Sequence, residues 1–255
     1  MNPLKRFVSN IFLNWEHPFY SEALFKFCSR YLDMWYGDNN FDRQTNGEYR
    51  FLNFLMPKAK IVFDVGANVG DYASEMLRIN PAVTIHAFEP DKNAFEQLKT
   101  LPLIANNFAL GDRVEKRLLY REAGKTSHNS FYNFHGDALS PINVAVSTLD
   151  EYCDAHGITH IDFLKVDVEG FEYLVMKGAE KMLSKKAIDY IQFEFSGATI
   201  ESRTFLKDFL LLFKTCGYVL YRIKATSVEP LEYRPDKERF TLTNYVAARE
   251  GLPVQ

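Results

Sequence analysis

Polar and apolar positions divide the chain near Pro57. Over residues 1–56 the apolar positions recur at helical spacing. Leu24, Phe25, Phe27, Cys28, Tyr31, Leu32 and Trp35 follow Ser21, which can cap a helix. A polar loop spans Gly37 to Asn46, and a second short helix is predicted from Glu48 to Met56, stopping before Pro57. From Lys60 onward short apolar runs alternate with helical patterns. The runs "KIVFDVG", "VTIHAFE", "LIANNFAL", "HIDFLKVDVEG" and "IDYIQFEFS" read as strands. Between them, Ala73, Met76 and Leu77 mark one helix, and Phe95 and Leu98 mark another behind a cap at Asp91. Further helices are predicted over Leu149 to Ala155 and about Phe171 to Leu183. A strongly amphipathic helix carries Phe205, Leu206, Phe209, Leu212 and Phe213 and stops at Gly217. "KRLLYRE" and "NVAVSTL" read as extra strands flanking a polar loop, and "YVLYRIK" and "NYVAAR" end the chain.

Repeated β-α-β units predict an α/β fold with a mainly parallel sheet and helices on both faces. The last two strands are joined by a link with Pro230 and Pro235 and no helix, so they are expected to pair antiparallel. The expected organisation is a helical, aromatic-rich extension over residues 1–56 and an α/β domain over residues 57–255. The extension reads as a cap packed on the domain; a lid or partner-binding surface is the alternative.

Composition narrows the function classes. Of 255 residues 47% are hydrophobic and 25% charged, as in a chain with a packed core. The net charge of −3 and the lack of a long basic run argue against a nucleic-acid partner. The three cysteines, Cys28, Cys153 and Cys216, are dispersed and form no CxxC pair, which fits a reducing cytoplasm. No apolar run approaches the length of a membrane span.

An open sheet binds its ligand at the carboxyl ends of its strands. Here those ends carry Asp64, Glu89, Asp167, Glu169 and Glu194. Such a crowd of carboxylates would repel the pyrophosphate of a dinucleotide. It suits S-adenosylmethionine, whose sulfonium and ammonium are cations. The turn "FDVGANVGDY", with Asp64, Gly66, Ala67, Asn68 and Gly70, is the expected cofactor loop. Gly66 would let backbone approach the ligand, and the helix start after Gly70 could receive the methionine carboxylate. Glu89 could accept hydrogen bonds from the ribose hydroxyls. Each feature has a plainer reading: Asp64 could only brace the turn, and Glu89 before Pro90 could only end a strand.

"VFDVGANVGDYA", "HAFEP", "NFALGD", "STLDEY" and above all "IDFLKVDVEGFE" resemble the FkbM-type methyltransferases, over about Glu48 to Phe195. The resemblance implies a Rossmann-like class I methyltransferase fold, a seven-stranded sheet with the last strand antiparallel. It also implies O-methylation of a hydroxyl, on a sugar, a glycan or a polyketide-type ring. By position, Gly66, Asn68 and Gly70 would line the methionine end of the cofactor and Glu89 would hold the ribose. Asn107 and Phe108 would lie beside adenine, and Asp167 near the ammonium or the methyl group.

Methyl transfer to a hydroxyl benefits from a general base. Glu169 is the first candidate, with Asp167 and Glu194 close behind. His128 and His135, in the loop Gly124 to Asp137, are further candidates because histidine titrates near neutral pH. A helix start decorated with acids is the plainer reading of Glu169. No metal is expected at the site. Two other functions fit parts of the pattern: an NAD-dependent sugar oxidoreductase, and a non-catalytic scaffold in glycan assembly.

Overall fold

The computed structural model describes residues 2–6, 18–121, 129–133 and 141–255. The chain forms two compact units, Met1–Asn39 and Asn40–Gln255. The first carries helix α1 (Pro18–Tyr36), which starts at a proline ahead of Ser21. Proline suits a first helical turn, where its missing N–H has no partner to lose. Tyr31 stacks on Trp35 one turn later at 6.4 Å, and Phe25, Met34 and Trp35 are exposed. Among the described residues no helix is long and apolar enough to cross a membrane.

The second unit begins with helix α2 (Glu48–Leu55), then β1 (Ile61–Val65), α3 (Asp71–Ile79), β2 (Thr84–Phe88), α4 (Lys92–Leu98) and β3 (Ile104–Asn106). Next come β4 (Ala109–Leu110), β5 (Glu115–Leu119), β6 (Ile142–Ser147), α5 (Leu149–His156) and β7 (Ile161–Val166). Helices α6 (Glu172–Lys177) and α7 (Glu180–Ser184), β8 (Ile188–Phe195) and α8 (Leu206–Thr215) follow. Strands β9 (Tyr218–Ile223), β10 (Val228–Pro230) and β11 (Thr243–Arg249) complete it.

The main sheet runs β10-β9-β11-β8-β7-β1-β2-β3, and β3, β2, β1, β7 and β8 are parallel. Strand β11 inserts between β8 and β9, antiparallel to both, as expected for the last strand. The eighth strand departs from the expected seven. It is β10, three residues of the proline-containing link that fold back antiparallel on Tyr221 to Ile223 at the sheet edge. An edge place tolerates Pro230, which has no N–H to donate.

Strand residues alternate between two cores. Phe63 and Leu164 enter one, and Val62 and Phe163 the other. Phe51 and Leu52 of α2 are fully buried in the second core, where Phe51 meets Phe163 and Tyr190 edge-on. The compact unit therefore starts at Asn40 and takes in α2, ahead of the boundary expected at Pro57.

Two other elements differ from expectation. "LIANNFAL" splits into β3 and β4, and β4 joins a separate three-stranded sheet, β4-β6-β5. The Asn107 amide donates to the carbonyls of Glu89 and Pro90, which draws the chain off the main sheet between the two. The helix expected from Phe171 to Leu183 is two helices that break at Gly178. A Cβ there would lie 1.9 Å from the Gly111 carbonyl oxygen, so the chain passes only as glycine.

Candidate active site

Strand β1 ends in the glycine turn. The N–H groups of Gly66 and Ala67 both donate to the Phe88 carbonyl, at 3.0 and 3.1 Å, which folds the turn over the end of β2. Gly66 and Gly70 have φ of 82° and 92°, and Asn68 has 49°. The glycines answer to the protein's own packing. A Cβ on Gly66 would lie 1.9 Å from the Asp167 carbonyl oxygen, and one on Gly70 2.5 Å from the Leu101 side chain. The side on which a Gly66 Cβ would lie is taken by the chain just past β7.

Glu89 stands just past β2. One carboxylate oxygen accepts from the Asn68 N–H at 2.9 Å, and the other from the Asp91 N–H at 2.7 Å. Burial, set against those two bonds, pushes its pKa up to about 7. A carboxylate oxygen accepts more than one hydrogen bond, so Glu89 can brace the loop and still bind a diol. Asn107 is exposed, and Phe108 is half-buried with its ring edge-on to Phe88 at 5.6 Å.

Two neighbouring acids have opposite character. Asp64 is 2% exposed, and its Oδ2 has no hydrogen-bond partner among the described residues. Burial raises its pKa to about 6, with Lys165 and Arg43 pulling the other way. Asn68 Oδ1 is likewise buried and unpartnered. Asp167 follows β7. Burial pushes it up, but Lys165 and then Arg43 outweigh burial and hold it below the usual carboxylate range. Lys165, 1% exposed, donates to Asp167 Oδ2 at 2.9 Å, and Arg43 stands 4.0 Å from the same oxygen.

Glu169 and Glu194 complete the carboxylate cluster. Burial first, then Asp167 and Glu172, raises Glu169 to about 8. Burial first, then Asp167 and Glu169, raises Glu194 well above its ordinary value. Close carboxylates cannot all ionise together, so Asp167 loses its proton first, and Glu169 and Glu194 lose theirs only at higher pH. Glu169 has φ of 52°, a left-handed conformation that costs on the order of 1–2 kcal/mol. Its loop is held by Glu172, whose Oε1 accepts from the Val168 and Gly170 N–H groups at 3.0 and 3.1 Å. Ser130 donates to the Glu169 carbonyl at 2.7 Å.

A buried polar chain ties the loop of residues 40–48 over these strand ends. The Tyr72 hydroxyl donates to Gln192 Oε1 at 3.0 Å, and the Gln192 amide donates to Glu48 at 2.8 Å. Asn46 donates to the other Glu48 oxygen at 2.7 Å.

The structure thus gathers Asp64, Asp167, Glu169 and Glu194 at the strand ends, with the buried Glu89 just past β2. His128 and His135 lie outside the described residues. Sequence reasoning missed Arg43, Lys165 and Glu172. Lys165 had a signal, a lone charge inside an apolar strand; Arg43, in a polar loop, had none. Among the described residues, His160, Asp162 and Asp189 bring metal-ligating atoms within 4.8 Å of one another. They lie at the amino-terminal ends of β7 and β8, opposite the cleft.

Comparison with known proteins finds a family and several relatives. The model of the "Methyltransferase FkbM domain" matches residues 64–220, which include every carboxylate of the cleft. The 2-O-methyltransferase NoeI of Sinorhizobium fredii is 26% identical over 173 residues, covering 56% of this chain and 67% of that protein. The 31-O-demethyl-FK506 methyltransferase FkbM of Streptomyces tacrolimicus is 28% identical over 158 residues, covering 47% of this chain and 59% of that one. The chain thus matches only about two thirds of these relatives' length or less. A crystal structure of methyltransferase FkbM from Methylobacillus flagellatus aligns with TM-score 0.46 and 14% identity over 74% of this chain and 43% of its own. With its matched region running from the first cleft acid, Asp64, to Leu220 in β9, the chain belongs to the FkbM methyltransferase domain family.

Proposed function

We propose that the protein is an S-adenosylmethionine-dependent O-methyltransferase acting on a hydroxyl of a sugar, a glycan or another small polyhydroxylated acceptor. The observation that carries this reading is the cleft itself. A fully buried Asp64 with an unpartnered oxygen stands beside a carboxylate cluster at the strand ends. Two lone acceptors, Asp64 Oδ2 and Asn68 Oδ1, call for a ligand that donates, and an ammonium is such a ligand. The same acids oppose a pyrophosphate, which sets the NAD-dependent alternative aside. NoeI, named for 2-O-methyl transfer, supports oxygen as the accepting atom. The net charge of −3 favours a small acceptor over a nucleic acid, and the dispersed cysteines favour a reducing cytoplasm.

In this reading Glu89 binds the ribose, and Asn107 and Phe108 flank adenine. Gly66, Ala67, Asn68 and Gly70 shape the loop at the methionine end. When bound, the cofactor supplies a methyl group on a sulfonium, which leaves as a neutral thioether. Glu169 takes the proton of the acceptor hydroxyl as that oxygen bonds to carbon. Its pKa near 8 places it close to a neutral working pH, where a general base is most effective. Asp167, held ionised by Lys165, faces the positive charge of the cofactor.

Glu169→Gln keeps the side chain's size and removes its basicity. Turnover is expected to fall roughly 10²- to 10⁴-fold, while S-adenosylhomocysteine binds as before by titration calorimetry. Near-normal turnover at saturating acceptor would transfer the role to Glu194.

A further inference from the structure

The cleft holds two cations as well as its acids, and neither was expected there. Lys165 and Arg43 lie near the Tyr72 ring, at 5.3 and 5.5 Å from its centroid. Lys165 is committed: it is fully buried and donates to Asp167 at 2.9 Å. Arg43 is placed differently. It comes from the loop ahead of α2, its side chain is 37% exposed, and its 4.0 Å approach to Asp167 is beyond hydrogen-bond range. A guanidinium carries five N–H donors, so its contact with the Tyr49 hydroxyl leaves donors for a ligand. On the acid side the same division holds. Asp167 is paired with Lys165, and Asp64 keeps an unpartnered oxygen at full burial. Arg43 and Asp64 thus each keep hydrogen-bonding capacity for an incoming group.

The position of Arg43 adds to this. Tyr72 belongs to the first turn of α3, which starts at Gly70 with no side-chain cap among the described residues. The Tyr72 ring reaches from α3 to Gln192 of β8, and the guanidinium lies beside that ring, between α3 and the strand ends. A ligand that meets Asp64 with a cation and Arg43 with an anion is an α-amino-acid zwitterion.

We propose that Arg43 binds the carboxylate of the methionine end of the cofactor, opposite Asp64, and so selects nucleosides that carry an amino-acid tail. The proposal rests on the cofactor reading above. It makes Arg43 a binding residue with no part in the proton transfer, and it gives the loop of residues 40–48 a role in the site.

Methylthioadenosine has the adenosyl group and the thioether but lacks the amino-acid tail. Titration calorimetry of the full chain with S-adenosylhomocysteine and with methylthioadenosine therefore isolates the Arg43 contact. Arg43→Met is expected to weaken S-adenosylhomocysteine about tenfold or more and to leave methylthioadenosine unchanged. Arg43→Lys, which keeps the charge but loses the fork, is expected to fall between the two. Unchanged melting temperatures of the free variants would exclude a folding defect. Equal weakening of both nucleosides, or of neither, in Arg43→Met would overturn the assignment. If the wild-type chain bound neither nucleoside, the cofactor reading would fail, and this proposal with it.

Discussion

At the residue scale the cleft is an exercise in keeping charges apart. Asp64, Glu89, Glu169 and Glu172 are all pushed upward by burial, to about 6, 7, 8 and 7. Between about pH 4.5 and 8 the folded state then holds more protons than the unfolded chain, whose carboxylates are ionised there. The sign follows. The stability these groups contribute is fully present below about pH 4 and is lost as pH rises through 6 to 8. Asp167, shifted downward, acts only at acid pH, and His86, lowered by burial, works the other way near pH 6.5. These four carboxylates, with Glu194 raised as well, outnumber it. A cationic ligand prefers the ionised carboxylates, so its binding releases protons and tightens with pH. From pH 5.5 to 7.5 the melting temperature of the free protein is expected to fall, and the increment given by S-adenosylmethionine to grow. Differential scanning fluorimetry at several pH values reads both slopes. A free protein that gains stability over that window, with a constant increment, would contradict the charge assignment.

At the element scale, α2 decides where the folded unit begins. Phe51, Leu52 and Met56 are fully buried, and burying such a side chain is worth about 1.5–3 kcal/mol. Glu48 also accepts from the buried Gln192 amide at 2.8 Å, so its loss would leave that amide only the longer bond to Asn244 at 3.3 Å. Removing residues 1–39 is expected to leave a soluble, cooperatively melting chain. Removing residues 1–56 is expected to yield aggregated protein, as judged by soluble yield and light scattering. Aggregation of both truncations alike would show that the first unit is integral to the fold. The long strands and the amphipathic α8 were legible in the sequence because their apolar residues keep a period of two or of 3.6. The break at Gly178 and the short β10 were not. The first depends on the Gly111 carbonyl approaching from a distant strand end. The second is three residues long and carries Pro230. The acids of the site were legible because each ends an apolar run. Arg43 was hidden, because its place over Tyr72 is set by the chain from Asn46 through Glu48 to Gln192, which joins segments far apart in sequence.

At the scale of the whole molecule, the sheet order brings the ends of β1, β2, β7 and β8 to one cleft, and the family match spans all four. The central claim is that this cleft holds S-adenosylmethionine with its ribose on Glu89. Titration calorimetry of the wild-type chain and of Glu89→Ala with S-adenosylhomocysteine, with NAD as the control, tests it most directly. The wild type is expected to bind S-adenosylhomocysteine at one site per chain and to give no heat with NAD. Hydrogen bonds to a charged group are worth about 1.5–3 kcal/mol each, so Glu89→Ala should weaken binding about tenfold or more. Binding of NAD in preference to S-adenosylhomocysteine, or equal affinity in wild type and Glu89→Ala, would contradict the account.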